Sequence, residues 1–272
     1  MGVRRMFFEV FAYDFMIRAF IAGALISVIA PLIGNFLVLK RLSQMGDTIS
    51  HVALAGIALG LLLGLNPTVS SLIVVLLSSF FIEKLRKSYF QYSEISIAVT
   101  MSFGMAVAIF LIGLNRGGNL NIINYLFGSI VSITKEDVYI IFLLTIFELM
   151  SVYLLYKELV FITFDEEAAE SSGIPVKFIN IFFMILVSLT VAVSMRIVGA
   201  LLVSSLLVIP SAASLKLSKS FTQTILYGML FSFISVFVGI ILSFYLDLSP
   251  GALIVLILLL ILAVVNFISS RK

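Results

Sequence analysis

Apolar tracts of about 20 residues recur along this chain from end to end, and that recurrence constrains its fold more than any other feature. A helix rises about 1.5 Å per residue, so each tract is long enough to cross the roughly 30 Å hydrocarbon layer of a bilayer. Charged residues make up 11% of the 272 positions, against about 25% in soluble domains, and mean hydropathy is +1.24. The expectation is an all-α, polytopic transmembrane bundle forming one domain over residues 1–272, with no soluble domain between the tracts.

The tracts place spans near 15–39, 47–65, 67–82, 95–114, 137–156, 177–195, 198–215, 221–245 and 251–268. That makes about nine crossings, with eight possible because the third tract is short. The first tract lacks a small-residue cleavage site after a short apolar core, so it reads as a retained span. Alternating sides gathers Lys40, Arg41, Lys84, Arg86, Lys87, Lys157, Lys177, Lys216, Lys219, Arg271 and Lys272 on one face, eleven of the 17 basic residues. Arg4, Arg5, Arg18, Arg116, Lys135 and Arg196 fall on the other. The positive-inside rule then puts the richer face in the cytoplasm, the N-terminus outside and the C-terminus inside, in a cell membrane. There is no cysteine, which excludes disulfides and thiolate metal sites, and the net charge of +3 points to no nucleic-acid partner.

Asp47 and the chain's only histidine, His51, lie four residues apart at the mouth of the second tract. An ionised carboxylate in hydrocarbon is costly, so such residues face a cavity, a partner or an ion path. At this spacing both side chains share one helix face and can hold one small cation, with oxygen and nitrogen donors that suit zinc, manganese or iron(II). The plainer reading, a hydrogen-bonded acid beside a packed neutral ring, stays open on these two residues alone. Opposite them, Gly56, Gly60 and Gly64 form a small-residue ridge suited to close helix packing in lipid. A glycine-packed helix presenting its polar stripe inward has the geometry of a pore lining. If the helix runs on unbroken from Lys40, the pair lies about 10–16 Å below the basic face; a break near Gly46 changes that depth.

The longest loop on the basic side, near 157–176, contains Asp165-Glu-Glu-Ala-Ala-Glu-Ser-Ser-Gly173-Ile-Pro175. Glu167, Ala168 and Ala169 favour a short helix, Gly173 suits its C-terminal cap and Pro175 forbids continuation. Elsewhere, Glu148 is expected to hydrogen-bond a neighbouring helix rather than line a path, and Arg196 to snorkel or contact lipid phosphate. Asn124 to Ser132 reads as a re-entrant segment or a surface turn, and Pro210 as a kink.

Taken together these segments resemble the permeases of zinc and manganese ABC importers. The resemblance rests on Leu39-Lys40-Arg41 through Gly46-Asp47-Thr48-Ile-Ser50-His51, Asn124-Tyr125-Leu126-Phe127-Gly128-Ser129, Asp165 with Ala169 and Gly173, Val198-Gly199-Ala200 through Pro210-Ser-Ala-Ala213, and Phe244-Tyr245 through Ser249-Pro250-Gly251. It runs through most of the chain, and Tyr13-Asp14-Phe15-Met16 with Gly46-Asp47-Thr48 is more similar to the zinc members. The acidic loop resembles the coupling segment of importer permeases, although the isoleucine and leucine-proline of the wider pattern are absent.

The resemblance implies a type II importer-like permease that moves a transported divalent metal ion, with Asp47 and His51 on the metal path and no permanently bound cofactor. It also implies Asp165, Glu167, Ala168, Ala169 and Gly173 as the docking element for a cytoplasmic ATPase present in two copies. The remaining partners it implies are an extracellular metal-binding protein, a second permease copy and membrane lipid. A secondary metal-ion transporter is the competing reading, but no inverted repeat is visible. An intramembrane metal enzyme needs more ligands than one histidine supplies. No Gly-Lys dipeptide occurs, so the chain has no P-loop of its own.

Overall fold

The structure is a computed structural model and describes residues 12–89, 93–114 and 124–270. Arg4, Arg5, Arg116, Arg271 and Lys272, used above to weigh the two faces, lie outside the described residues. The helices are α1 (Asp14–Leu39), α2 (Met45–Leu63), α3 (Pro67–Ser88), α4 (Ser93–Leu114), α5 (Lys135–Leu154), α6 (Tyr156–Phe164), α7 (Glu166–Ser171), α8 (Val176–Val198), α9 (Val203–Leu217), α10 (Phe221–Leu246) and α11 (Pro250–Ser269). Among the described residues, eight of them are long and apolar enough to cross a membrane, and α9, at 15 residues, is shorter.

Local chemistry sets the boundaries. The Asn66 side chain accepts from the Thr68 N–H at 3.0 Å, with Pro67 as first helical residue, so α3 starts abruptly after the α2 turn. Thr134 and Asp137 form a reciprocal capping box that opens α5. The third tract is longer than its apolar core suggests, because α3 carries Glu83 and Arg86 inside its last turns as a neutralising pair. The seventh tract starts late: Gly199, at φ +87°, ends α8 and the chain turns through 199–202 before α9 begins. The nine tracts therefore become eight full-length helices and one shortened one.

Helices α1, α2 and α8 are mostly buried and form the centre, while α4, α5 and α11 present much of their surface outward. The ends are tied together at two levels. At the end carrying Lys40, called the basic end here, Phe36 packs edge-on against Phe183 and Phe221. At the far end, Tyr13 and Phe15 pack on Phe244. The far end also holds the Asn124 to Ser132 segment, one helical turn at 124–127 followed by a loop, and its backbone pairs with the α8–α9 link. The Ala200 N–H donates to the Tyr125 carbonyl at 2.8 Å, and the Ser129 N–H donates to the Arg196 carbonyl at 3.3 Å. A Cβ on Gly128 would stand 2.1 Å from the Ile197 oxygen, so the two strands of backbone touch.

Candidate functional site

Along α2, every residue from Met45 to Ala58 is buried except Asp47 and His51. Four neighbouring helices account for that enclosure. Thr48 reaches the Ile97 carbonyl of α4, Val52 fills the space above Gly104, Gly46 abuts Ser204 and Leu207 of α9, and α3 closes the glycine face. The one stripe left open carries the carboxylate and the imidazole. Asp47 lies in the first turn of α2, where the positive end of the helix dipole favours a carboxylate, and Ser204 of α9 stands beside it. His51 follows one turn, about 6 Å, deeper. Its Nδ1 is buried and makes no hydrogen bond within the chain. One acceptor-only carboxylate and one imidazole are two metal donors; among the described residues no group of three or more His, Asp and Glu side chains comes together.

The continuous-helix depth does not hold. α1 ends at Leu39, the Arg41 backbone adopts φ +59°, and α2 restarts at Met45, so Asp47 sits near the basic end rather than well below it. The expected ridge is also shorter. A Cβ on Gly56 would meet the Ser71 Cα at 2.8 Å, and one on Gly60 the Ser70 side chain at 2.8 Å, so both lie against α3. Gly64 packs against nothing within 4 Å; at φ +68° it is the left-handed C-cap of α2, a position that favours glycine on conformational grounds.

In the acidic loop the chain continues past α5 as α6, anchored by buried Leu159 and Ile162, before α7 forms. Asp165 is the N-cap of α7, accepting from the Ala168 N–H at 2.9 Å. Ala169 is buried and pins the helix to the body, whereas Glu167 and Glu170 are exposed. Gly173, at φ +85°, ends it with open space around it. α7 is therefore a small helix with an exposed acidic side, held to the body by buried Ala169 and by Glu166, its first residue, which accepts from Asn180.

Two polar clusters escaped the sequence reading. At the far end, Arg196 turns inward rather than snorkelling: its side chain pairs with buried Asp137 at 2.9 Å, hydrogen-bonds Thr68 and lies 4.9 Å over the Tyr125 ring. Asp137 also accepts from the Thr134 N–H at 3.0 Å and hydroxyl at 2.8 Å, so one carboxylate joins the starts of α3 and α5 to the end of α8. Burial is the main influence pushing the Tyr125 phenol above its ordinary value. At the basic end, a cavity of about 410 Å³ is lined by Lys40, Arg41, Glu83, Arg86, Glu166 and Asn180 among others. There the Lys40 ammonium donates to Asn180 Oδ1 at 2.8 Å, and Asn180 Nδ2 donates to Glu166 Oε1 at 2.9 Å. Burial brings the Lys40 ammonium down to about 8, with Glu166 pulling the other way. Acids and bases far apart in sequence gave no local signal of either pairing. Glu148 is fully buried and accepts from Thr190 at 2.8 Å on α8, a link between helices.

The chain is similar to known membrane transport proteins along nearly its whole length. The sequence pattern of the ABC 3 transport family matches residues 12–269. A probable metal transport system membrane protein of Treponema pallidum is 34% identical, over 93% of this chain and 95% of its own length. The high-affinity zinc uptake system membrane protein ZnuB of Haemophilus influenzae is 30% identical over 90% of this chain and 94% of its own. The manganese transport system membrane protein MntC of Halalkalibacterium halodurans is 27% identical over 98% and 91%. Among solved structures, PsaBC from Streptococcus pneumoniae in complex with Fab superposes with a TM-score of 0.86 at 26% identity, covering 97% of this chain and 95% of the other.

Proposed function

The chain belongs to the ABC 3 transport family and is the membrane permease of an ABC metal transporter, and from that premise we propose that it imports zinc, with manganese as the next candidate, through a path that Asp47 and His51 line. The observation that carries this is the single opening along the first turns of α2, occupied by the only two metal-donor side chains there. The carboxylate supplies charge that offsets the desolvation of a divalent ion, and the neutral imidazole supplies the borderline nitrogen that zinc accepts well. Relatives carry names for both metals, so the preference for zinc rests on the donor pair and on the Gly46-Asp47-Thr48 context.

Two donors are half of a tetrahedral site. Two copies of the chain related by a two-fold axis bring two Asp47–His51 pairs to one path, where they form one shared site or two sites completed by water or backbone oxygen. The basic end is cytoplasmic, with the N-terminus outside and the C-terminus inside. There α7 inserts into a cleft of a separate ATPase, one for each permease copy, and an extracellular metal-binding protein delivers the ion at the far end. The chain itself hydrolyses nothing. Exposed Glu167 meets basic residues of that ATPase, and the open space around Gly173 lets the partner approach the helix end.

Purification of the permease with its copurifying ATPase after zinc or manganese loading, followed by elemental analysis, tests this. Zinc retained at about one ion per permease pair supports a shared site, and about two supports separate sites. Metal retained equally by an Asp47→Ala/His51→Ala double variant refutes the assignment. Replacing Gly173 by Leu is expected to uncouple ATP hydrolysis from uptake without changing metal retention.

A further inference from the structure

The turn that precedes the metal-lining helix is wired to the docking helix by three side chains. Lys40 is the last residue before Arg41, which takes a left-handed φ of +59°, and the turn is closed by the Leu42 N–H donating to the Leu37 carbonyl at 2.8 Å. From that turn the Lys40 ammonium reaches Asn180 near the start of α8, and Asn180 reaches Glu166, the first residue of α7. Asn180 is 4% exposed, so its amide is held inside the fold between a half-buried Lys40 and a Glu166 whose side chain is 41% exposed. Its orientation is dictated: an ammonium only donates and a carboxylate only accepts, so the amide presents its oxygen to one and its nitrogen to the other. Glu166 has a further cation nearby, Arg86 at 3.9 Å, itself paired with buried Glu83. The cavity beside this network leaves room for the side chains to shift without rebuilding the core.

We propose that Glu166, Asn180 and Lys40 form a relay that carries displacement of α7 to the α1–α2 turn and so to the orientation of Asp47 and His51. It rests on the reading of α7 as the ATPase-docking helix. These are positioning residues, since none of them meets the metal. A chain of two hydrogen bonds with charge at both ends transmits a push because each bond is directional and its loss leaves the buried Asn180 amide without a partner. Asn180 does what no apolar residue of its size can, and Asp at this position would repel Glu166.

The test uses the permease with its copurifying ATPase in proteoliposomes, reading zinc ions moved per ATP hydrolysed, ATPase association and zinc retention. Asn180→Leu is expected to lower ions moved per ATP by roughly tenfold, with association and retention unchanged. Lys40→Glu and Glu166→Lys are each expected to do the same, and the double variant to recover part of the loss, because the Asn180 amide turned over serves the reversed charges. Recovery is partial because Arg86 then faces a lysine. An unchanged ratio in Asn180→Leu overturns the relay, as does loss of ATPase association together with transport, which marks Asn180 as a mere prop for α7. If the Asn180→Leu permease does not fold and insert at all, the charge-reversal set decides: a double variant no better than the worse single one refutes the relay. Gly173→Leu separates the two layers. Normal coupling in that variant refutes the docking role of α7 itself, whereas uncoupling there beside normal coupling in Asn180→Leu refutes the relay alone.

Discussion

The two ends of this bundle are held by opposite means. At the far end, backbone lies directly on backbone: Gly128 against the Ile197 carbonyl, Gly199 against the Leu126 carbonyl, and Gly251 so close to the Val198 carbonyl that a Cβ would stand 1.9 Å away. In the ion pair described there, Asp137 with Arg196, the buried carboxylate is engaged by four donors. At the basic end the contacts described run through long side chains around a cavity, and Asp47 and His51, the proposed metal donors, sit half-buried one short turn away. Backbone contacts without intervening side chains admit one arrangement, whereas side-chain bridges across a cavity admit several. On that contrast we expect the far end to act as the fixed frame and the basic end as the adjustable part.

The largest expected effect breaks function at the basic end without touching the frame. Asp47→Ala or His51→Ala abolishes zinc-dependent uptake while the protein inserts normally, since neither side chain satisfies a helix backbone; uptake under metal limitation and membrane protein level are the two measurements. Normal uptake by both would remove the reason for calling this end the working one.

Next in size is a break of the frame. Arg196→Leu leaves Asp137 buried and unpaired, at a cost of about 3–5 kcal/mol, read as a lower thermal midpoint in lipid–detergent micelles. Combining it with Asp137→Leu restores much of the loss, because an apolar pair of similar volume carries no unpaired charge. If Arg196→Leu is instead stable but transports poorly, the far end is a moving gate and the comparison inverts.

A third prediction separates coupling from stability by sign. Lys40 titrates at about 8 in the fold and near 10.4 unfolded. Between those values the unfolded chain binds more protons, so this group makes the fold more stable as pH rises. The ammonium that grips Asn180 and feels Glu166, Glu83 and Arg86 is lost over the same rise, so zinc moved per ATP falls as pH passes through about 8. Lys40→Arg, charged throughout, flattens that fall. Parallel loss of stability and coupling would contradict both assignments.

The smallest effect distinguishes two glycines four residues apart. Gly64→Ala costs about 1 kcal/mol, a backbone strain at φ +68° with no clash. Gly60→Ala costs more, because the Ser70 side chain must move for a Cβ that would otherwise stand 2.8 Å away. Equal midpoints for the two variants would show that α2 and α3 have room to part.

That contrast also marks how far the sequence could be read. The spans were legible because hydrocarbon thickness sets a length that any apolar helix must meet, and the observed helices follow the tracts within a few residues, apart from the longer α3 and the late start of α9. Asp47 and His51 stood out because a charged residue in an apolar tract is costly wherever it points. The end of α7 was legible from Gly173 and Pro175, which act on the chain locally. What the residues could not announce was pairing across the fold. Asp137 and Arg196 are 59 positions apart, and Lys40 and Asn180 are 140 apart. Each of those side chains has a plausible solvent or lipid fate when read alone, and only burial, which removes water as the alternative partner, makes the contact obligatory. The depth of Asp47 and His51 was decided the same way: a left-handed turn at Arg41, a residue with no local preference for it, separates α1 from α2 and places Asp47 at the start of a new helix.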